Sequence, residues 1–82
     1  MYIEDRAEKC YFNPNDGRVR IDYRPKNPGD KRITPTACAD LCTSNGRCKF
    51  FYYNSVDYCE LYDSCDDTKN AKYIGTVYRK GI

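Results

Sequence analysis

Apolar and polar residues alternate along four stretches of the chain, and a fifth stretch carries a helical period. In Arg18-Val19-Arg20-Ile21-Asp22-Tyr23-Arg24, the residues Val19, Ile21 and Tyr23 share one side, the pattern of a half-buried strand. Arg47 to Tyr53 sets Cys48, Phe50 and Tyr52 against Lys49, Phe51 and Tyr53. Beyond a turn at Asn54-Ser55-Val56-Asp57, Tyr58 to Asp63 returns with Cys59 and Leu61 on one face. Lys72 to Lys80 closes the sheet, with Ile74, Thr76 and Tyr78 opposite Tyr73 and Val77. A short strand at Cys10-Tyr11-Phe12 precedes the turn-rich Asn13-Pro14-Asn15-Asp16-Gly17, so a hairpin is expected over 10–24. Residues 1–9 are charged and expected to be loosely ordered, while 25–32 and 66–70 read as loops.

The helical stretch begins at Thr34-Pro35, with Thr34 as N-cap and Pro35 in the first helical position; Thr36 is the alternative cap. It is expected to end at Thr43 or Ser44, where Asn45-Gly46 supplies a C-terminal glycine signal. Ala37, Cys38, Leu41 and Cys42 form its inner stripe. A helix of about ten residues is barely stable alone in water.

Cysteine changes this picture. Five of the six cysteines fall between Cys38 and Cys65, spaced Cys-x3-Cys-x5-Cys-x10-Cys-x5-Cys. There is no His and no CxxC pair, so zinc ligation is disfavoured against disulfides. Disulfides imply an oxidising compartment, and the chain is read as secreted or extracellular. About fifteen pairings are formally open. Cys48 and Cys59 are read as sharing a Phe50/Leu61 face beneath the helix. That parity suggests Cys42–Cys48 across a short loop and Cys38–Cys59, leaving Cys10–Cys65.

The aliphatic inventory is thin: five Ile, three Val and two Leu, beside nine Tyr. A chain of 82 residues reads as one domain, 1–82, with its core over 10–80. Three bridges at about 2–4 kcal/mol each could match the whole net stability of such a domain, about 5–15 kcal/mol. The fold class expected is α+β: a small disulfide-rich domain with an antiparallel sheet packed on one helix. No apolar run approaches the ~18 residues needed to span a bilayer, so membrane insertion is not expected. The start, Met1-Tyr2-Ile3-Glu4-Asp5, is too charged for a signal peptide; a domain excised from a larger protein, or a mature chain with an added Met, is expected.

Catalysis finds little support. Without His there is no ordinary imidazole base, and bridged cysteines leave no thiolate. No cofactor or metal is expected; Asp63-Ser64-Cys65-Asp66-Asp67 lacks the ligand spacing of a calcium loop. Charge is more informative. The net value is only +2, but Arg18, Arg20, Arg24, Lys26, Lys31 and Arg32 face only Asp22 and Asp30 across residues 18–32. Arg18, Arg20, Asp22 and Arg24 would project in line from one strand face. Such a patch suits a sulfated glycan, an acidic protein surface or anionic headgroups; a solvated outer face would carry the same charges. The inferred compartment argues against nucleic acid. Phe51, Tyr53, Tyr58 and Tyr62 are expected on the sheet face away from the helix, as a recognition platform or packed under residues 10–33.

The run Cys38-Ala39-Asp40-Leu41-Cys42, then Cys48-Lys49-Phe50-Phe51-Tyr52-Tyr53, then Cys59-Glu60-Leu61, resembles the core of a PAN/apple domain. The match covers 37–65 and extends to the strand at 72–79. The resemblance implies a curved sheet cradling one helix, helix cysteines bonded to the central hairpin, and a third bridge near the termini. In apple domains the last cysteine lies near the C-terminus, whereas seventeen residues follow Cys65 here. The implied function is an extracellular adhesion or binding module for protein or carbohydrate, without catalysis. The alternatives are a freestanding toxin-like or inhibitor-like effector acting through Pro25–Arg32, and a structural subunit of an extracellular coat.

Overall fold

The computed structural model describes residues 2–13, 15, 19–27 and 29–81. In chain order the elements are β1 (Tyr2–Arg6), β2 (Lys9–Cys10), β3 (Arg20–Arg24), α1 (Pro35–Ser44), β4 (Phe50–Asn54), β5 (Cys59–Tyr62), β6 (Thr68–Lys69) and β7 (Gly75–Lys80). Five strands form one antiparallel sheet in the order β1-β7-β4-β5-β3, and β2 pairs with β6 in a separate ribbon. The coarse expectation of a small disulfide-rich domain with an antiparallel sheet and one helix is met. No helix among the described residues is long and apolar enough to cross a membrane.

The helix begins where the sequence places it. Thr34 sits in an extended conformation and its hydroxyl accepts the Ala37 N–H at 3.1 Å, with Pro35 in the first turn. It ends at Ser44, as expected, but with a different cap. Asn45 is extended, at φ −106°, and its N–H donates back to the Cys42 carbonyl, so no left-handed glycine terminates the helix. The Cys42–Cys48 bridge turns the chain there instead.

All six cysteines are bridged in the pairing suggested above: Cys10–Cys65, Cys38–Cys59 and Cys42–Cys48, with Cα separations of 5.2, 5.9 and 5.1 Å. The parity behind that suggestion needs correction. In the β4–β5 ladder Phe51 pairs with Leu61 and Phe50 with Tyr62. Phe51, Leu61 and Cys59 therefore face α1, with Cys38, Cys42 and Cys48, while Phe50 does not. Cys48 reaches the helix side because it precedes β4 and is free of the strand's alternation.

The expected hairpin over 10–24 is also corrected. β2 lies against β6, held by the Cys10–Cys65 bridge and by the Tyr11 N–H donating to the Asp67 carbonyl at 2.8 Å. β3 pairs with β5 instead. The turn residues Asp16 and Gly17 lie outside the described residues. Nor do Val19, Ile21 and Tyr23 share a face. Val19 takes a left-handed φ of 71°, and the β3–β5 register shifts between Arg20 and Asp22. As a result Ile21 packs on the helix-side core and Val19 on the opposite one.

Residues 2–6, expected to be loose, form an edge strand on β7. Tyr2 explains why. Its ring meets Phe51 edge-on at 4.9 Å, and its hydroxyl reaches the Ala39 carbonyl at 3.2 Å and the Thr43 hydroxyl at 2.7 Å. One tyrosine thus ties the chain start to α1.

The sheet is covered on both sides. The second core holds Cys10, Tyr52, Tyr62, Cys65 and Val77, under Phe12, Val19 and Ala71. Gly75 belongs to it by absence: a Cβ there would sit 2.7 Å from the Tyr52 ring, so only glycine lets β7 pass so close.

Loop length ranks the three bridges. They close separations of 55, 21 and 6 residues. The chain-entropy relation then gives costs of about 4, 3 and 2 kcal/mol for replacing Cys10/Cys65, Cys38/Cys59 and Cys42/Cys48 pairwise by alanine. Urea unfolding of the three double variants should reproduce that order; equal losses would show that local strain or packing, not chain entropy, sets the ranking.

Candidate binding site

The sheet's central ladder buries one charge. Glu60 on β5 is 1% exposed, on the face away from α1. An isolated carboxylate there would be very costly. Four side chains offset it. Lys9 Nζ lies 3.2 Å from Oε1 and Arg20 Nη1 lies 3.2 Å from Oε2. The Tyr62 hydroxyl donates to Oε1 at 2.5 Å and the Tyr58 hydroxyl to Oε2 at 2.8 Å. No buried side-chain polar atom among the described residues is left without a partner.

The register shift in β3 builds this cluster. It puts Arg20 and Tyr23, three residues apart, on one face. The Arg20 guanidinium then lies between the Tyr23 ring at 4.3 Å and the Phe12 ring at 4.4 Å. Burial lowers its basicity, but the bond to Glu60 and its charge outweigh that and hold Arg20 above its ordinary value. The same shift sends Asp22 and Arg24 to the helix side, where they pair with Leu61 and Cys59. The expected line of Arg18, Arg20, Asp22 and Arg24 on one face is therefore not formed; Arg18 itself lies outside the described residues.

Of the expected ligand-binding set, three basic residues converge. Arg24, Lys31 and Arg32 line a groove of about 490 Å³ between α1 and the segment leading into it, floored by Ile33 and Leu41 and bordered by Asp40. Arg24 Nη1 is 2.6 Å from Asp22 Oδ1, and Lys26 Nζ reaches the same oxygen at 3.3 Å. Burial alone would raise the Asp22 carboxyl, but the bonds from Arg24, the Tyr23 N–H and Lys26 hold it below its usual range. Lys31 and Arg32 are exposed, and Arg32 is anchored by donating to the Val56 carbonyl. Lys26 is not among the lining residues and is tied to Asp22, and Arg20 is committed to Glu60.

The tyrosine platform is corrected likewise. Phe51 and Tyr53 lie on the helix side, since Phe51 pairs with Leu61 and Tyr53 with Cys59. The Tyr53 hydroxyl bonds the Ile33 carbonyl at 3.0 Å and the Asp57 carboxylate. Tyr62 is fully buried, and Tyr58 is half-buried against Glu60. Packing beneath residues 10–33 is what holds for Tyr62, under Phe12 and Val19. The residue that the sequence did not single out is Glu60. Its signal was available: one acid inside a strand, alternating with Cys59 and Leu61.

Among the described residues no group of three or more acidic or cysteine side chains is placed to hold a metal ion. No family model matches the chain, and neither a curated protein nor a solved structure matches it.

Two outcomes follow from the buried carboxylate. Glu60→Ala leaves Lys9 and Arg20 without their counter-charge and should cost about 3–5 kcal/mol in urea unfolding, as for other broken buried pairs; a loss under about 1 kcal/mol would mean that water replaces the carboxylate freely. The phenols supply a pH test. Burial, then the Asp57 carboxylate, pushes Tyr53 up to about 12. Burial, then the charge of Glu60, pushes Tyr58 and Tyr62 up as well. Folded values raised above the free phenol at about 10 mean stability that is full below that pH and lost as pH climbs through 12. Phenolate absorbance from these three residues should appear together with loss of the folded circular dichroism signal, not before it.

Proposed function

We propose that this chain is an extracellular binding module of PAN/apple type that captures an anionic partner, a sulfated glycan first, and does no chemistry on it. The carrying observation is the convergence of Arg24, Lys31 and Arg32 on one groove with an apolar floor. Two of these cations come from the loop before α1 and one from the end of β3, so the fold, not a charge run, assembles them. The sulfur-stapled helix on an antiparallel sheet supports the family reading. Three disulfides and no free cysteine support an oxidising compartment and leave no thiol nucleophile.

An acidic protein surface would use the same groove. The exposure of Lys26, Asn27 and Gly29 to Arg32 favours a second reading, in which this loop is the contact element of a freestanding effector. Salt separates charge capture from shape recognition, since exposed charge contacts are screened within about 8–10 Å at physiological ionic strength.

On a heparin column the triple variant Arg24→Ala/Lys31→Ala/Arg32→Ala should elute at clearly lower salt than the parent. Lys49→Ala, an exposed cation at the opposite end of β4, should elute with the parent minus one charge. If triple and single variants elute together, the groove is not the anion site.

A further inference from the structure

The sheet face away from α1 carries a second cleft of about 370 Å³, which shares only Arg32 with the groove beside α1. The rings of Tyr58 and Tyr73 wall it above the buried Tyr52, and its three charged side chains, Lys9, Arg32 and Lys72, are all basic. The nearby Glu60 compensates Lys9 and leaves Arg32 and Lys72 as the cations open to a ligand. Both of its oxygens are occupied, by Lys9 and Tyr62 on one side and by Arg20 and Tyr58 on the other. Lys72 has no acidic partner within salt-bridge distance among the described residues, and its Nζ rests 5.5 Å over the Tyr73 ring.

Two of the three rings, those of Tyr52 and Tyr58, are held before any ligand arrives. The Tyr52 hydroxyl donates to the Tyr73 carbonyl at 3.2 Å, and the Tyr58 hydroxyl to Glu60 at 2.8 Å. Gly75 leaves Tyr52 no slack, with ring atoms 2.7 Å from where a Cβ would stand. A preset wall spares the ligand the cost of ordering it. The volume lies at the lower end for small-molecule sites, about 300–1,000 Å³, and suits one ring-sized group, not a chain.

The two cavities differ in kind. The groove beside α1 is floored by Ile33 and Leu41 and offers nothing to stack on. The cleft combines ring faces with cations. A pyranose presents a face of C–H groups to an aromatic ring, and a carboxylate on that sugar would meet Lys72 and Arg32. We propose that the cleft is a second binding site, for a carboxylate-bearing sugar ring such as a hexuronic acid residue. It stands whether or not the groove binds a sulfated glycan.

The test is an amide NMR titration of the intact protein with sodium glucuronate, glucose, sodium benzoate and sodium sulfate in parallel. Glucuronate should give saturable shifts at Tyr52, Tyr58 and Ala71 to Tyr73, with glucose and sulfate far weaker there. Lys72→Ala should weaken glucuronate about two- to fivefold, the range of one exposed charge contact, and Tyr73→Ala about two- to tenfold. Lys31→Ala, which lines only the groove, should leave the cleft's affinity unchanged even where it weakens heparin retention. Equal affinity for sulfate, stronger binding of benzoate, shifts confined to Ile33 and Leu41, or no saturable shift in the cleft would each overturn the proposal.

Discussion

A ten-residue helix with one cap and a thin apolar stripe cannot hold its place by burial alone, and in this protein two sulfur bridges anchor it. Cys38 fixes α1 to Cys59 at the start of β5, and Cys42 fixes it to Cys48 just ahead of β4. The helix is therefore pinned at both turns to the central hairpin. Of the eleven buried hydrophobic residues among those described, six are cysteines, so the bridges are the greater part of the core by number as well as its fasteners. Tyr2, Ile33 and Leu41 then pack around a frame already closed.

The opposite face is built on a different principle. There the third bridge, Cys10–Cys65, draws β2 and the segment after β5 together over Tyr52, Tyr62 and Val77, and the layer between is polar. Glu60 organises it. Two cations and two phenols converge on one carboxylate, and the rings of Phe12 and Tyr23 enclose Arg20. A polar layer of this kind is weak as a source of stability and strong as a constraint on register: sliding β5 by one residue would turn Glu60 into the helix-side core and leave Lys9 and Arg20 unmatched.

What could be read in the sequence was set by local signals. Thr34-Pro35 announced the helix start, the β4–β5 turn was legible at Asn54 to Asp57, and the cysteine spacing carried the staple. What could not be read was decided by partners far along the chain. Nothing in Tyr2 to Arg6 foretells that a phenol will reach Ala39 and Thr43, thirty-seven and forty-one positions away. Strict alternation misassigned Ile21 because a register shift does not appear in composition, and it misassigned Phe50 because faces were inherited from Cys48, which lies outside the strand. The basic residues were identified by type, yet the same shift divided them, giving Arg20 to the buried carboxylate and Arg24 to the groove.

The order of the large sheet leaves β1 and β3 as its two rims. Each rim would ordinarily invite a foreign strand to add itself, the first step of fibrous association. Here β1 carries Glu4, Asp5 and Arg6 with a break in its register, and β3 carries Arg20, Asp22 and Arg24 with its own break and Pro25 just beyond. The irregularity that sorts the arginines between two sites also roughens the border, so neither rim of the large sheet offers a flat edge on which copies of the molecule could stack.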